Sequence, residues 1–217
     1  MPIAVSAAEG YALWAATWDA TPSPIVAVEE RLLRPRLERL RTRHAIDVGC
    51  GTGRWTSRLS ALGFDASPEM LAVASSKPGL QGRVAVADAI SLPVQSGVAD
   101  LVLCTLTLGH VRHHAMALRE FARILKSGGT LLLTDFHPLS AAMGWRRTFR
   151  AGEQVYQLEN YPYSLDQLLI SGLTLRDVED GAIGEPERSL FAKAGRLELF
   201  DQACRIPAVQ LSQWTRL

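Results

Sequence analysis

The feature that most constrains this chain is a short apolar segment that runs straight into a cluster of glycines, Ala45-Ile46-Asp47-Val48-Gly49-Cys50-Gly51-Thr52-Gly53. A strand ends there and a helix begins, with Trp55, Leu59 and Leu62 marking one helical face. Glycines at such a turn let the backbone approach a ligand, and the helix start offers unpaired N–H groups to an anion. The same turn is also compatible with a tight connection that binds nothing. Two common readings are excluded by detail. A phosphate loop needs Gly-Lys-Ser/Thr, but Arg54-Trp55 follows Gly53. A dinucleotide loop needs a third spaced glycine, and Arg54 stands in its place.

Beyond the loop, strands and helices alternate. Ser67-Pro68-Glu69 starts a helix with a capping hydroxyl, a proline at the first position and an early acid, and Lys77-Pro78-Gly79 stops it. Arg83 to Ala87 reads as a strand ending at Asp88, and Asp100 to Leu106 as an uninterrupted apolar strand. Val111, Ala115, Leu118, Ala122 and Leu125 form a helical stripe closed by Gly128-Gly129, and Thr130 to Thr134 is the next strand. Apolar strands without alternation, separated by helices, indicate a parallel sheet covered on both faces. The expected fold is α/β, doubly wound, with a mostly parallel seven-stranded sheet.

The N-terminal part, Glu9 to Arg43, reads as helical, with Tyr11, Trp14 and Trp18 at helical spacing and Pro35 kinking or dividing the second half. It is expected as an N-terminal helical cap over residues 1–43, packed on a single unit over 44–217. Ser164 to Ser171 looks like a helix start followed by an apolar stretch. Leu173 to Ile183 and Ile206 to Trp214 fit strands.

With 217 residues and a net charge of +1, nothing global attracts nucleic acid or anionic lipid. The start lacks a basic leader and the apolar runs are strand-sized, so neither a signal peptide nor a membrane span is expected. The 3 cysteines are widely spaced and suit neither a disulfide framework nor a zinc site; no metal is expected. A cytoplasmic protein with reduced thiols, monomer or homodimer, is expected.

The motifs together carry a resemblance. Asp47-x-Gly-x-Gly-x-Gly, then Gly63-Phe64-Asp65-Ala66-Ser67-Pro68-Glu69-Met70, then Ala87-Asp88-Ala89-x-x-Leu92-Pro93, and Leu118 to Leu133, in that order, are similar to the class I S-adenosylmethionine-dependent methyltransferases, small-molecule type. The resemblance covers about residues 11 to 138. It implies S-adenosylmethionine as cofactor and S-adenosylhomocysteine as product. It implies that Gly49, Gly51 and Gly53 hold the methionine part, with Asp47 anchoring the loop. Asp65 matches the acid that binds the ribose hydroxyls, a task for an acceptor-only group. Met70 matches a position against adenine, Asp88 the acceptor for its amino group, and Ala89 an N–H for a ring nitrogen. Thr105 and Leu106 match positions flanking the methionyl chain. Tyr11-Ala12-Leu13-Trp14-Ala15-Ala16-Thr17-Trp18-Asp19 is similar to the family's opening helix, which closes over the cofactor, although Ala12 and Trp18 replace the usual Asp and Tyr.

The expected reaction is methyl transfer to an O, N or C nucleophile; a non-catalytic S-adenosylmethionine-binding or interaction protein is the alternative. A nucleic-acid methyltransferase is disfavoured, because Thr105-Leu106-Thr107-Leu108 stands where such enzymes carry an Asn/Asp-Pro-Pro-aromatic motif. His110 and His137 follow two successive strands and are the candidate general bases, with Asp135 a possible partner of His137; His113 and His114 read as solvent-facing. The acceptor pocket is expected from residues 9–24 and 137–165, where Trp14, Trp18, Phe136, Trp145, Phe149, Tyr156, Tyr161 and Tyr163 suggest a partly hydrophobic molecule.

One spacing departs from the family. Only 17 residues separate Asp47 from Asp65. A helix of eight residues advances about 12 Å, and returning takes about four strand residues. The expectation is a shortened first helix and a second strand that is short or absent. The junction from Phe64 to Ser67 stays intact, and Asp65 sits on a less supported backbone, with weaker or more mobile cofactor binding.

Overall fold

The computed structural model describes every residue except Ser171. Its elements, in chain order, are β1 (Ile3–Val5), α1 (Ala7–Trp14), a 3-10 segment (Ala15–Ala20), α2 (Pro24–Arg39), β2 (Ala45–Val48), α3 (Arg54–Leu59), β3 (Leu62–Asp65), α4 (Pro68–Ser75), β4 (Val84–Val86) and β5 (Ala99–Thr105). They continue with α5 (His114–Ile124), β6 (Leu125–Phe136), α6 (Pro138–Ala142), β7 (Thr148–Ala151), β8 (Gln154–Leu158), β9 (Leu173–Ala182), α7 (Arg188–Lys193), α8 (Phe200–Ala203) and β10 (Pro207–Arg216).

The main sheet has seven strands in the order β4-β3-β2-β5-β6-β10-β9. The pairs from β4 to β6 are parallel, and β10 runs antiparallel to both β6 and β9. The chain winds outward from β2 to β4, then crosses back to β5, so the winding reverses between β2 and β5. Ligands in open α/β sheets bind at the carboxyl ends of the strands flanking such a reversal.

The apolar strands lack alternation because both faces are buried. In β5, Val102 and Cys104 face one core with Ile46, Val48, Leu118, Phe121 and Trp214. Leu101 and Leu103 face the other, with Ala45, Leu132 and the α2 residues Val28, Leu32, Leu33 and Leu37. α2 thus covers one face of the sheet and α5 the other. Among the described residues no helix is long and apolar enough to cross a membrane.

The N-terminal region is less uniformly helical than its spacing suggests. β1 precedes α1 and pairs with β8, which pairs with β7 in a separate three-stranded sheet. Ser6 then starts α1: its hydroxyl accepts from the Glu9 amide at 3.2 Å and the Glu9 carboxylate accepts from the Ser6 amide at 3.1 Å. α2 continues through Pro35 instead of dividing there. The stripe buried against the sheet spans both sides of the proline, and that burial outweighs the lost backbone hydrogen bond.

The tight spacing before Asp65 is met by economies in α3 and β3. α3 has 6 residues and stops at Leu59, where Ser60 adopts φ 51 and reverses the chain. Leu62, expected on the helix, opens the 4-residue β3 and is 46% exposed. β3 is short but fully used, pairing with β2 on one edge and β4 on the other. Likewise α5 ends at Ile124, and Leu125 with Gly128-Gly129 belongs to β6, in an irregularity between the Ala99–Leu125 and Leu101–Thr130 pairs. Strand pairing with β5 captures the chain before the glycines can cap the helix. The segment after Ser164 forms a single 3-10 turn, Leu165–Leu168, and its expected end at Ser171 lies outside the described residues.

Candidate active site

A cleft of about 390 Å³ opens over the reversal between β2 and β5. It gathers Tyr11, Gly49, Gly51, Asp65, Met70, Asp88, Ala89, Thr105, Leu106 and His110, ten of the residues singled out in the sequence, from segments spread over 100 positions. Asp47, Gly53 and His137 are not on its wall.

The loop after β2 is shaped by close approaches. Gly49, at φ 70, leaves no room for a Cβ: one built there would lie 2.2 Å from the Thr107 side chain. Thr107, which the sequence reading missed, donates its hydroxyl to the Gly49 carbonyl at 3.2 Å and joins the loops after β2 and β5. Gly51, at φ 55, has nothing within 4 Å of its Cβ direction, so its backbone is open to an occupant. Gly53 instead packs on Leu80, 2.4 Å from a built Cβ, and opens α3.

Two acids flank the loop, and one of them, Asp65, is bonded to it. Asp47 is buried, and its Oδ2 accepts from the Thr56 hydroxyl at 2.7 Å while its Oδ1 has no partner. Burial pushes its pKa up to about 6, opposed by Thr56. Asp65 accepts from the Gly51 amide at 2.7 Å and from the Ser67 amide at 2.8 Å. Burial raises its pKa and those amides oppose the rise. Contrary to expectation, then, Asp65 is well supported: β3 is paired on both edges and the carboxylate is tied to the loop it serves. On the adenine side of the resemblance, Met70 and Ala89 are buried, and Asp88 accepts from the Ile90 amide at 3.1 Å.

The N-terminal segment forms the roof. Tyr11 and Trp18 line the cleft, whereas Trp14 stacks on Phe149, ring centroids 4.5 Å apart, in a separate small core with Tyr156. Asp19 latches the roof to the glycine loop: it accepts from the Thr52 hydroxyl at 2.6 Å and pairs with Lys77 at 2.6 Å, and Lys77 also donates to the Thr52 carbonyl at 2.7 Å. The sequence carried a signal for Asp19, the final acid of the opening motif, but none for Lys77.

His110 and His137 have different surroundings. The His110 ring donates through Nδ1 to the Glu159 carbonyl at 2.8 Å; a carbonyl only accepts, so Nδ1 carries the proton and Nε2 is bare. Nε2 then accepts from Arg147 at 2.8 Å and from the Tyr11 hydroxyl at 3.1 Å. Burial, then the charge of Arg147, push the His110 pKa down to about 3. Arg147 also donates to the Tyr11 hydroxyl at 2.6 Å and to the Leu106 carbonyl at 2.8 Å. No sequence pattern announced Arg147, because only the fold brings it to the end of β5. Leu106 itself is held at φ 52, a costly conformation for a branched side chain.

The structure sets His137 apart from the cleft, as the cap of α6: its Nδ1 accepts from the Leu139 amide at 3.1 Å and its Nε2 lies 3.4 Å from Asp180. Asp135 does not reach it. That carboxylate turns the other way, accepting from the Gly109 amide at 2.5 Å and the Tyr163 hydroxyl at 3.3 Å. His113 is exposed and lines the cleft, but His114 is half-buried with its ring 4.8 Å from Tyr163, not turned to solvent. Of the aromatic residues expected around an acceptor, Tyr163 is thus absorbed into the support of the loop carrying His110.

Comparison with known proteins agrees with this geometry. Residues 46–133 match the family model described as a methyltransferase domain. A methyltransferase of Streptomyces halstedii, GfsG, is 27% identical over 178 residues, 72% of this chain; the match spans 64% of that protein's own length. Among solved structures, the [4+2]-cyclase SpnF is 19% identical with a TM-score of 0.69, covering 99% of this chain and 98% of that one. An S-adenosylmethionine-dependent methyltransferase from Mesorhizobium loti is 23% identical with a TM-score of 0.64, covering 89% of this chain and 100% of that one. The segment from β2 into β6 is therefore similar to a methyltransferase domain, and the chain shares the fold of a solved S-adenosylmethionine-dependent methyltransferase.

Proposed function

We propose that the protein binds S-adenosylmethionine in the cleft over β2 and β5 and directs its methyl group to a small-molecule acceptor. The observation that carries this reading is the convergence of ten expected residues on one cavity of about 390 Å³, a size suited to a small ligand. The residues fit the cofactor. Gly51 presents open backbone, and Asp65 keeps spare lone pairs for hydroxyls. Met70 and Ala89 would flank the adenine, with Asp88 accepting from its amino group. Thr105 and Leu106 would flank the methionyl chain, and residues 1–43 serve as a cap through Tyr11 and Trp18.

When bound, S-adenosylmethionine supplies a sulfonium-activated methyl group. The protein's part is to orient and to exclude water. Tyr11 is fixed by Arg147 and His110, so its ring and hydroxyl form a rigid wall beside Leu106. His110 is a poor general base here, because its bare nitrogen already accepts from a guanidinium and its pKa lies near 3. This favours catalysis by positioning, with an acceptor that is nucleophilic without removal of a proton by His110.

The second reading, cofactor binding without methyl transfer, is favoured by that missing base and by the likeness to a cyclase of the same fold. Calorimetric titration with S-adenosylhomocysteine, followed by turnover assays over a panel of O, N and C nucleophiles, separates the two. Binding with turnover supports methyl transfer; binding without turnover on any acceptor supports the second reading; no binding removes both.

A further inference from the structure

The small three-stranded sheet brings two groups to the loop after β5. Arg147 immediately precedes β7, and its carbonyl accepts from the Leu158 amide at 3.0 Å, next to the Thr148–Gln157 pair. Glu159 follows β8, and its amide donates to the Val5 carbonyl of β1 at 2.9 Å. Strand pairing thereby fixes both backbones. Both residues then reach His110, Glu159 through its carbonyl and Arg147 through its guanidinium. Arg147 lies beyond the 46–133 segment that matches the methyltransferase domain.

Leu106 shows what the guanidinium has to hold. Among the described residues it is one of two other than glycine with a positive φ, and it lines the cleft. A branched side chain persists in that conformation only where its surroundings fix it. Its amide donates to the Thr134 carbonyl at 2.7 Å, which extends the pairing of β5 with β6, and its carbonyl accepts from Arg147 Nη1 at 2.8 Å. The same Nη1 lies 2.6 Å from the Tyr11 hydroxyl in the roof. Arg147 is half-buried and is not on the cleft wall, so it acts on the cleft through Tyr11, Leu106 and His110. Its guanidinium carbon lies 4.9 Å from the Phe136 ring centroid, a cation–π contact that seats the group at the end of β6. Asp135 holds the same loop at the Gly109 amide. Burial raises the Asp135 pKa, and the charge of Arg147 opposes the rise.

We propose that Arg147 is a positioning residue for methyl transfer: its guanidinium fixes the Leu106 backbone and the Tyr11 hydroxyl relative to each other, so that donor and acceptor meet in one geometry. The assignment rests on the methyl-transfer reading of the cleft and gives a role to a residue outside the matched segment. The geometry also says where its loss falls. Asp65, Asp88 and Ala89 stand at the ends of β3 and β4, Met70 lies on α4, and none of them bonds to Arg147, so the adenosine keeps its partners. The wall beside the methionyl chain loses its fixed geometry instead, and a misplacement of about 1 Å there costs about a hundredfold in rate. Turnover therefore suffers more than cofactor affinity. All three donated bonds leave from Nη1, so a single ammonium replaces part of them and an apolar side chain replaces none.

The test uses a panel compound that the wild type methylates. Arg147→Met is expected to lower kcat by about tenfold to a hundredfold, with KM and the S-adenosylhomocysteine dissociation constant each within about threefold. Arg147→Lys is expected to fall between Arg147→Met and the wild type. Tyr11→Phe is expected to cost much less in the Arg147→Met background than alone, because the two residues act through one bond. A kcat of Arg147→Met within about twofold of the wild type overturns the assignment. So does a loss of S-adenosylhomocysteine affinity as large as the loss of kcat, an equal kcat for the methionine and lysine variants, or full additivity in the double variant. If thermal unfolding shows that Arg147→Met does not fold, Arg147→Gln, whose shorter amide cannot reach three acceptors, replaces it under the same criteria. A wild type that binds S-adenosylhomocysteine but methylates no compound on the panel sinks the methyl-transfer reading itself, and that outcome is read before any variant is compared.

Discussion

The carboxylate of Asp65 accepts the amide proton of Gly51 at 2.7 Å, so the acid at the end of β3 and the loop at the end of β2 hold each other in place. A second bond, from the Ser67 amide to the same carboxylate, ties both to the start of α4. Asp65→Ala removes the acceptor of two amides. It is expected to lower stability by about 1–3 kcal/mol and to weaken S-adenosylhomocysteine by about tenfold or more. Asp65→Asn, which keeps one acceptor oxygen, should fall between. Calorimetric titration and denaturant unfolding read the two effects; unchanged affinity in Asp65→Ala would remove the residue from the cofactor site.

Asp88→Ala should weaken S-adenosylmethionine and S-adenosylhomocysteine equally, because they share the adenosine. A lost hydrogen bond to an ionised acceptor costs about 1.5–3 kcal/mol. A dissociation constant equal to the wild-type value for either compound would show that the adenine lies elsewhere.

His110 and His137 should separate cleanly. His137→Ala loses the cap of α6, worth about 0.5–2 kcal/mol, with turnover unaffected. His110→Ala should reduce turnover by less than the 10²–10⁴-fold, roughly, of a lost general base, since it releases Tyr11 and Arg147 without removing a working general base. The His110 pKa also sets a stability trend. Below the ordinary value of 6.5 the unfolded chain takes up a proton that the folded chain refuses down to about 3. Stability from this group is complete above 6.5 and declines as pH falls through that window. His110→Phe should flatten the decline, measured as Tm against pH; a profile as steep as the wild type would contradict the burial of a neutral ring.

Glu29 is fully buried and accepts from Arg54 at 2.6 Å and from the Trp55 indole at 3.0 Å, joining α2 to α3. Burial raises its pKa and those two partners oppose the rise. Arg54→Leu strands the carboxylate and should cost about 3–5 kcal/mol. Adding Glu29→Gln, which still accepts from Trp55, should recover most of that loss in denaturant unfolding. An additive double mutant would show that the pair does not act as a unit.

The residues that the sequence placed well are those whose role is local. Ser67 caps α4 because hydroxyl, proline and acid stand in consecutive positions, and Gly51 opens the backbone where its own φ demands it. The short path from Asp47 to Asp65 forecast the compression of α3 and β3, since rise per residue is a property of the chain alone. Local signals misled where tertiary pairing overruled them. Gly128-Gly129 has the look of a helix end, yet pairing with β5 claims the preceding residues for β6. Pro35 has the look of a break, yet apolar burial on both sides keeps α2 whole.

The sequence by itself determined the α/β winding, the glycine loop, the acids at successive strand ends and the resemblance they carry, because each is written in residues close together along the chain. Only the tertiary structure decided which histidine faces the cleft. His110 and His137 both follow strands, and nothing in their neighbours distinguishes them. What does is the arrival of Glu159, Arg147 and Tyr11 around one ring and of Asp180 beside the other, contacts whose cost in chain entropy is met by the packing of the whole domain.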